Sequence, residues 1–228
     1  MAQQSHAQVF DCADSAHLLP ASRAARGAVS RGELVVLPTD TVYGVGADAF
    51  SPEAVQRLLD AKGRTRQSPP PVLIANQATL HALAAEVPEP VTQLADAFWP
   101  GPLTMVCIAQ PSLNWDLGDT SGTVALRIPD HGLTREILQE TGPLAVSSAN
   151  LHGEPAAQNI ADAKRMLGDS VSVYLDDGAV SGDGTPSTIL DVTGLDSESA
   201  QLRVLRLGAI SVEQIREVLP KAHISFVE

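Results

Sequence analysis

The residues of this 228-residue chain that are best suited to bind a charged ligand follow its first predicted strand and the helix after it. The apolar run at residues 34–37 predicts a buried strand. Residues 38–44 then supply three hydroxyl groups and one carboxylate, and Lys62 and Arg64 come one helix later. Because α/β folds bind ligands where strands end, hydroxyl groups and paired cations here indicate a site for a polyanion such as a nucleotide.

Lys62 and Arg64 also have a purely structural explanation. The helix macrodipole favours cations at a helix C-terminus, and we expect both residues to be exposed there. A proline-rich loop at residues 65–71, which cannot be helical, follows directly and carries Arg66 and Ser68. Such a loop suits a lid over phosphate groups, to which arginine offers a fork of donors and lysine a mobile point charge.

A second polar segment, Ser147-Ser148-Ala149-Asn150, ends another short apolar run. Serine and asparagine favour turns and helix N-caps, so a plain turn explains the segment by itself. The functional interpretation places a hydroxyl group and an amide at a second strand end, beside the first.

Two arginines, Arg127 and Arg206, lie within predicted strands. A buried guanidinium group needs an anion. For Arg127 this anion is either a structural aspartate or a substrate carboxylate, and the sequence leaves both open; Arg206 raises the same question. Ser187 opens a further predicted strand, which β-propensity alone explains.

Several well-known chemistries are disfavoured by the motifs that are missing. The chain has no Gly-x-x-x-x-Gly-Lys-Ser/Thr motif and so no P-loop. Residues 44–49 match Gly-x-Gly-x-x-Ala, but no acid ends the next strand, so Gly44 and Gly46 more simply permit a close approach or a tight turn. The six histidines show no ligand spacing, and no nucleophile elbow supports a hydrolase triad.

Composition indicates an ordinary globular protein with an acidic surface. Lys and Arg total 15 against 27 Asp and Glu, a net charge of −12 that repels phosphate backbones, so we do not expect a broad electrostatic surface for nucleic acid. Cys12 and Cys107 are too few for a disulfide framework or a zinc site. No signal peptide and no apolar run of about 20 residues is present, which predicts a cytoplasmic protein without membrane contact.

The elements that must position these residues alternate between strands and helices. This predicts an α/β fold, a single domain with a twisted mixed sheet of parallel and antiparallel strands and flanking helices. Residues 1–16 are expected to form a loose leader, and 17–228 the domain with its short C-terminal helix. Strands are predicted at 34–37, 72–75, 103–109, 123–128, 144–147, 171–175, 188–192 and 202–207.

Capping residues define two helices in particular. Ser51 as N-cap, Pro52 at the first position and Gly63 after the last turn predict the helix that precedes Arg64. A Ser-x-x-Gln capping box at residues 211–214 predicts the start of the last helix.

Taken together, these motifs resemble the YrdC-like family of threonylcarbamoyl-AMP synthases, in its short, single-domain form. Each motif alone is weak, but six in family order across about residues 30–210 are specific. They are Pro-Thr-Asp-Thr-Val-Tyr-Gly (38–44), Ala-Lys-Gly-Arg (61–64), Phe-Trp-Pro-Gly-Pro-Leu-Thr (98–104), Val-Ala-Leu-Arg-Ile-Pro (124–129), Ser-Ser-Ala-Asn (147–150) and Pro-Ser-Thr-Ile (186–189).

The resemblance implies that L-threonine, bicarbonate and ATP give threonylcarbamoyl-AMP and pyrophosphate, the first step of N6-threonylcarbamoyladenosine formation at tRNA position 37. It also implies Mg²⁺ carried mainly by the ATP phosphates, and handover of the product to tRNA threonylcarbamoyl-transfer proteins. Carried over by motif, Lys62 and Arg64 would be catalytic and hold ATP; Ser68, Thr123, Ser148, Asn150 and Arg206 would also bind ATP; and Thr41, Arg127 and Ser187 would bind threonine.

The chain departs from the family pattern at four positions. Thr65 follows the basic motif where Lys/Arg-Pro is frequent, Leu73 stands where many members have histidine, Ala156 replaces a frequent serine, and Leu207 a usual proline. The alternative function is a double-stranded RNA or tRNA-binding module of the same fold without synthase activity, against which the net charge counts.

Overall fold

The structure is a computed structural model that describes residues 7–180, 184–195 and 201–226. Its strands are β1 (Gln8–Asp11), β2 (Val35–Leu37), β3 (Gly44–Asp48), β4 (Val72–Leu73), β5 (Leu103–Ile108), β6 (Thr123–Arg127), β7 (Leu144–Ser148), β8 (Val173–Asp176), β9 (Thr188–Asp191), β10 (Gln201–Arg206) and β11 (His223–Phe226). Its α-helices are α1 (Ser15–Ser30), α2 (Pro52–Lys62), α3 (Gln77–Leu83), α4 (Glu89–Phe98), α5 (Gly132–Thr141), α6 (Ile160–Leu167) and α7 (Val212–Val218).

All these strands form one sheet, in the order β1-β8-β2-β3-β7-β4-β6-β5-β9-β10-β11. The sheet contains parallel pairs, such as β4 with β6 and β5 with β9, and antiparallel pairs, such as β3 with β7 and β5 with β6. The predicted mixed α/β sheet with flanking helices is therefore confirmed.

Apolar side chains cover both faces of the sheet, because successive residues of a strand point to opposite sides. Val36 belongs to the cluster packed by α2, α3, α4, α6 and α7, whereas Val35 and Leu37 belong to the cluster under α1 and α5. Among the described residues, no helix is long and apolar enough to cross a membrane.

The predicted loose leader is wrong where the structure describes it. Residues 8–11 form β1, which pairs in parallel with β8, and α1 already begins at Ser15 behind an Asp14 N-cap. Residues 1–6 lie outside the described part of the chain. β1 and β11 escaped prediction because both are four-residue edge strands with exposed ends, so neither shows a clear apolar pattern.

The glycines of residues 44–49 lie in a strand, which the sequence did not predict. A Cβ atom at Gly44 would meet Val146 Cγ1 at 2.6 Å, and one at Gly46 would meet Val146 Cγ2 at 3.2 Å. These glycines therefore permit a close approach, as predicted, but they make no turn: they leave room in β3 for the valine side chain of β7.

The cap signals around α2 are confirmed. The Ser51 side chain accepts a hydrogen bond from the Ala54 N–H, Pro52 is the first helical residue, and Gly63 ends the helix with a left-handed φ of 65°. The chain thereby turns sharply after Lys62 and directs Arg64 toward the central strands. The capping box of Ser211 and Gln214 is also present at the start of α7.

Candidate active site

A cavity of about 680 Å³ lies against the face of the central strands. Strand β6 lines it with Thr123, Val124, Ala125 and Arg127, and β7 with residues 146–148. The loops that follow β2 and α2 complete its walls. The sequence placed the site at strand ends, whereas the structure extends it across the face of the sheet.

Arg127 is almost completely buried and has a structural carboxylate partner. Its Nη2 donates to Asp40 Oδ1 at 2.6 Å, its Nη1 to Thr41 Oγ1 at 3.0 Å, and its Nε to the Gly101 carbonyl at 3.0 Å. These bonds use three of the five guanidinium N–H donors, so two remain. The structural interpretation of Arg127 is correct, yet the side chain also lines the cavity and retains donors for a ligand.

Three guanidinium groups face the cavity, from Arg64, Arg127 and Arg206. Burial lowers the pKa of Arg206, and the positive charges of Arg127 and Arg64 lower it further. Burial also lowers the pKa of Arg64, whose buried Nε has no hydrogen-bond partner within the described structure. Because these positive charges repel one another, the cavity favours an anionic ligand.

A hydroxyl cluster adjoins these cations. Ser187 Oγ lies 2.9 Å from Thr104 Oγ1 and accepts a hydrogen bond from Arg206 Nη2 at 3.2 Å. Arg64 Nη1 donates to Ser147 Oγ at 3.2 Å. With Thr41 Oγ1 beside Arg127, hydroxyl groups therefore stand beside all three arginines.

Lys62 does not have the exposed position that we expected. It is only 1% exposed, and it does not line the cavity. Its Nζ instead donates to the carbonyl oxygens of Ser148 at 2.5 Å and Asn150 at 2.6 Å. Exposure was a poor expectation because residues 148–150 pack over this end of α2.

The remaining ATP-side residues differ in their placement. Thr123, Ser148 and Asn150 line the cavity, but Ser68 does not; its neighbours Gln67 and Pro69 do. The Asn150 side chain lines the cavity with its amide already engaged, since Nδ2 donates to the carbonyl groups of Leu151 and Glu154.

Of the departures from the family pattern, Leu73 and Ala156 line the cavity, whereas Leu207 is 51% exposed and does not. The structure also assigns a role to Asp40 of the first motif, as the partner of Arg127. The sequence indicated only that a buried strand arginine needs an anion, and it did not identify Asp40 as that anion.

Comparison with known proteins places this arrangement in a family. The Sua5/YciO/YrdC family model, described as Telomere recombination, matches residues 27–208. The chain belongs to the Sua5/YciO/YrdC family. The resemblance that six motifs carried is thereby confirmed.

Relatives within the Sua5/YciO/YrdC family support this membership. A relative from Mycobacterium tuberculosis is 49% identical over 212 residues, which cover 93% of this chain and 95% of the relative. Proteins named threonylcarbamoyl-AMP synthase match from Pyrococcus abyssi, 34% identical over 89% of this chain and 58% of the relative, and from Bacillus subtilis, 36% identical over 84% and 54%.

Solved structures agree with the fold. A variant of Pyrococcus abyssi Sua5 superposes with a TM-score of 0.87 at 31% identity, over 96% of this chain and 62% of that one. The same Sua5 complexed with L-threonine gives a TM-score of 0.81 at 33% identity, over 89% and 58%. This chain thus spans less than two thirds of Sua5.

Proposed function

We propose that this protein is an L-threonylcarbamoyladenylate synthase, which converts L-threonine, bicarbonate and ATP to threonylcarbamoyl-AMP and pyrophosphate. The observation that carries the proposal is the cavity lined by Arg64, Arg127 and Arg206, with hydroxyl groups beside them. Family membership and relatives named for this activity support it.

Within the cavity we assign two ends. Arg64 and Arg206 face the ATP phosphates, with Thr123, Ser148 and Asn150 on the same wall. Arg127 receives the threonine carboxylate with its two remaining donors, and Thr41 and Ser187 supply hydroxyl groups on this side. We assign Ser68 an indirect role, because its neighbours Gln67 and Pro69 line the cavity and Ser68 does not.

This site suits adenylation without a dedicated base. The amine of threonine and bicarbonate form a carbamate with loss of water, and the carbamate oxygen attacks the α-phosphorus of ATP. The bond from that phosphorus to the β-phosphate oxygen then breaks, and pyrophosphate leaves with the electron pair. The nucleophile is already anionic, so positioning and charge neutralisation by the arginines supply the main catalytic effect.

The described residues offer no protein cage for Mg²⁺. They contain no group of three His, Cys, Asp or Glu side chains placed to hold a metal ion. Mg²⁺ prefers oxygen ligands and commonly binds through substrate phosphates. We therefore propose that it enters with ATP.

The product would serve tRNA modification, so we further propose cytoplasmic action, weak direct tRNA binding and handover to threonylcarbamoyl-transfer proteins. The net charge of −12 favours synthase activity over an RNA-binding module.

One assay tests the proposed reaction. The protein is incubated with ATP, threonine and bicarbonate, and pyrophosphate and the adenylate are measured, the latter by mass. Both products should appear, and omission of threonine or bicarbonate should abolish both. Pyrophosphate release that does not depend on threonine would contradict the proposal.

The threonine assignment predicts a selective defect in Arg127→Lys. Lysine loses the planar fork, so the KM for threonine should rise by about tenfold while the KM for ATP changes little. The matched control is Arg203→Lys, whose arginine pairs with Asp191 on β9 outside the cavity and should leave both constants unchanged. Equal rises in both KM values for Arg127→Lys would show that the residue does not act on threonine specifically.

A further inference from the structure

Lys62 is a cation of the first basic motif that faces away from the cavity. It is the last residue of α2 and is 1% exposed, whereas Arg64, two residues later, lines the cavity. The chain turns at Gly63, whose φ is 65°, between Lys62 and Arg64. The two cations of the motif therefore occupy different environments.

The Lys62 ammonium group is surrounded by oxygen atoms of a single turn. Nζ donates to the Ser148 carbonyl at 2.5 Å, to the Asn150 carbonyl at 2.6 Å and to Asn150 Oδ1 at 3.4 Å. An ammonium group has three N–H donors, and three acceptors are present. Within the described chain, no carboxylate lies within ion-pair distance of Nζ.

The same turn forms part of the cavity wall. Ser148, Asn150 and Glu154 line the cavity, and the Asn150 amide links the last two by donating to the Glu154 carbonyl at 2.7 Å. The main chain adds a further tie, from the His152 N–H to the Lys62 carbonyl at 2.9 Å. Both the side chain and the backbone of Lys62 therefore hold residues 148–154.

We propose that Lys62 is a positioning residue: it holds the wall formed by residues 148–154 through its ammonium group, and it does not contact the phosphates. This assignment rests on the proposed function only in naming ATP as the ligand of that wall. A lysine that turned toward ATP would remove one donor from each of two backbone carbonyls and from the Asn150 side-chain oxygen, and the Ser148 carbonyl would retain only the Asn150 N–H among its donors in this turn.

The ionisation of Lys62 agrees with this geometry. Burial, and secondarily the charge of Arg64, lower the pKa of Lys62 to about 7. An anion bound at Arg64 would offset that repulsion. A ligand in the cavity and the protonated, three-donor form of Lys62 should therefore favour each other without direct contact.

The test compares Lys62→Met with Arg64→Met. Methionine keeps an unbranched apolar chain and removes all donors. Two readouts are measured that need no turnover: amide hydrogen exchange across residues 148–154, and ATP affinity by calorimetry at low and high salt. A failed synthase assay would thus overturn the proposed function and leave this test intact.

If Lys62 is a positioning residue, the two variants should differ in opposite ways in amide exchange and in the salt dependence of ATP affinity. In Lys62→Met, exchange at residues 150–154 should become about tenfold faster, because the wall opens locally. The salt dependence of ATP affinity should remain that of the original protein. Arg64→Met should keep the exchange and weaken the salt dependence, because a charge facing the ligand is lost. Unchanged exchange in Lys62→Met, or a salt dependence that falls as in Arg64→Met, overturns the proposal.

If Lys62→Met does not fold, the chain offers a second measurement. It has only three lysines, and Lys164 and Lys221 are exposed, so lysine Cε labelling gives three NMR signals with one from a buried group. At pH 5, where Lys62 is protonated with or without a ligand, the Lys62 signal should shift more on Asn150→Ala than on addition of inorganic pyrophosphate. A larger shift with pyrophosphate overturns the positioning role.

Discussion

Asp40 shows how one residue can determine the character of the site. It holds Arg127 in place with one carboxylate oxygen, which also accepts a hydrogen bond from the Asp130 N–H at 3.0 Å. The charge of Arg127 is thereby balanced within the protein. Arg127 consequently serves a ligand as a fixed pair of donors, while the uncompensated charge comes from Arg64 and Arg206.

Asp40→Ala should destabilise the protein strongly, because it leaves a buried guanidinium group without its counter-ion. We expect the free energy of unfolding to fall by about 3 kcal/mol. The matched control is Asp116→Ala, which breaks an ion pair with Arg66 whose side chains are 49% and 43% exposed. That variant should lose less than about 1 kcal/mol. Urea unfolding measures both; similar losses would mean that burial of the Arg127 pair does not matter.

At the residue scale, the sequence predicted which side chains line the cavity better than it predicted which side chains contact each other. Arg127, Thr41, Ser187 and Arg206 were correctly expected to gather, and all line one cavity. The Asp40–Arg127 pair and the burial of Lys62 could not be predicted, since each depends on a segment more than 80 residues away in the chain. Such distances carry no local sequence signal.

At the scale of elements, two loops cross at the mouth of the cavity. The Asp119 N–H donates to the Arg66 carbonyl at 2.8 Å, and Arg66 Nη2 donates to Asp116 Oδ1 at 2.6 Å. Phe50 and Trp115 stack nearby, with ring centroids 5.4 Å apart. The hydrogen bonds of Arg66 therefore hold the loop after α2 against the loop before β6.

Gly118 is required where these loops cross. Its φ is +103°, and a Cβ atom there would meet the Arg66 carbonyl oxygen at 2.6 Å. Gly118→Ala should therefore lower the free energy of unfolding by about 3 kcal/mol and weaken ATP binding, because the loops must separate.

Gly122→Ala is the control for Gly118→Ala within the same loop. Gly122 also has a positive φ, +79°, but no atom lies within 4 Å of its added Cβ. The free energy of unfolding of Gly122→Ala should fall by only about 1 to 2 kcal/mol, which is the effect of backbone strain alone. Urea unfolding and ATP calorimetry measure both variants, and equal effects would show that the loop crossing contributes nothing.

Elements with strong local signals were predicted well, and edge elements were not. α2 was predicted to the residue because Ser51, Pro52 and Gly63 specify its ends. β1 was missed because its pairing with β8 is tertiary, and because three of its four residues are exposed.

For the whole molecule, buried ionisable groups predict how stability depends on pH. Lys62 has a pKa of about 7 in the folded chain, lowered by burial from an ordinary 10.5. Between these values the unfolded chain binds more protons, so stability should rise from pH 7 to pH 9. Above pH 9 it should fall, because burial raises the pKa of Cys12 to about 11 and that of Cys107 to about 12.

Urea unfolding at pH 7, 8, 9 and 10 tests this dependence, with Lys62→Met as the matched variant. The rise should be absent in Lys62→Met, whereas the decline above pH 9 should persist. A rise that survives the substitution would assign the effect to another group.

The cavity draws its walls from nearly the whole chain, from Thr41 after β2 to Arg206 at the end of β10. During synthesis the earlier strands emerge well before β9 and β10 can close the arginine cluster. Neither substrate can therefore stabilise the nascent sheet by binding, because a ligand stabilises only the state that presents its complete site. Stabilisation of the fold by substrate binding thus begins only after β10 has been made.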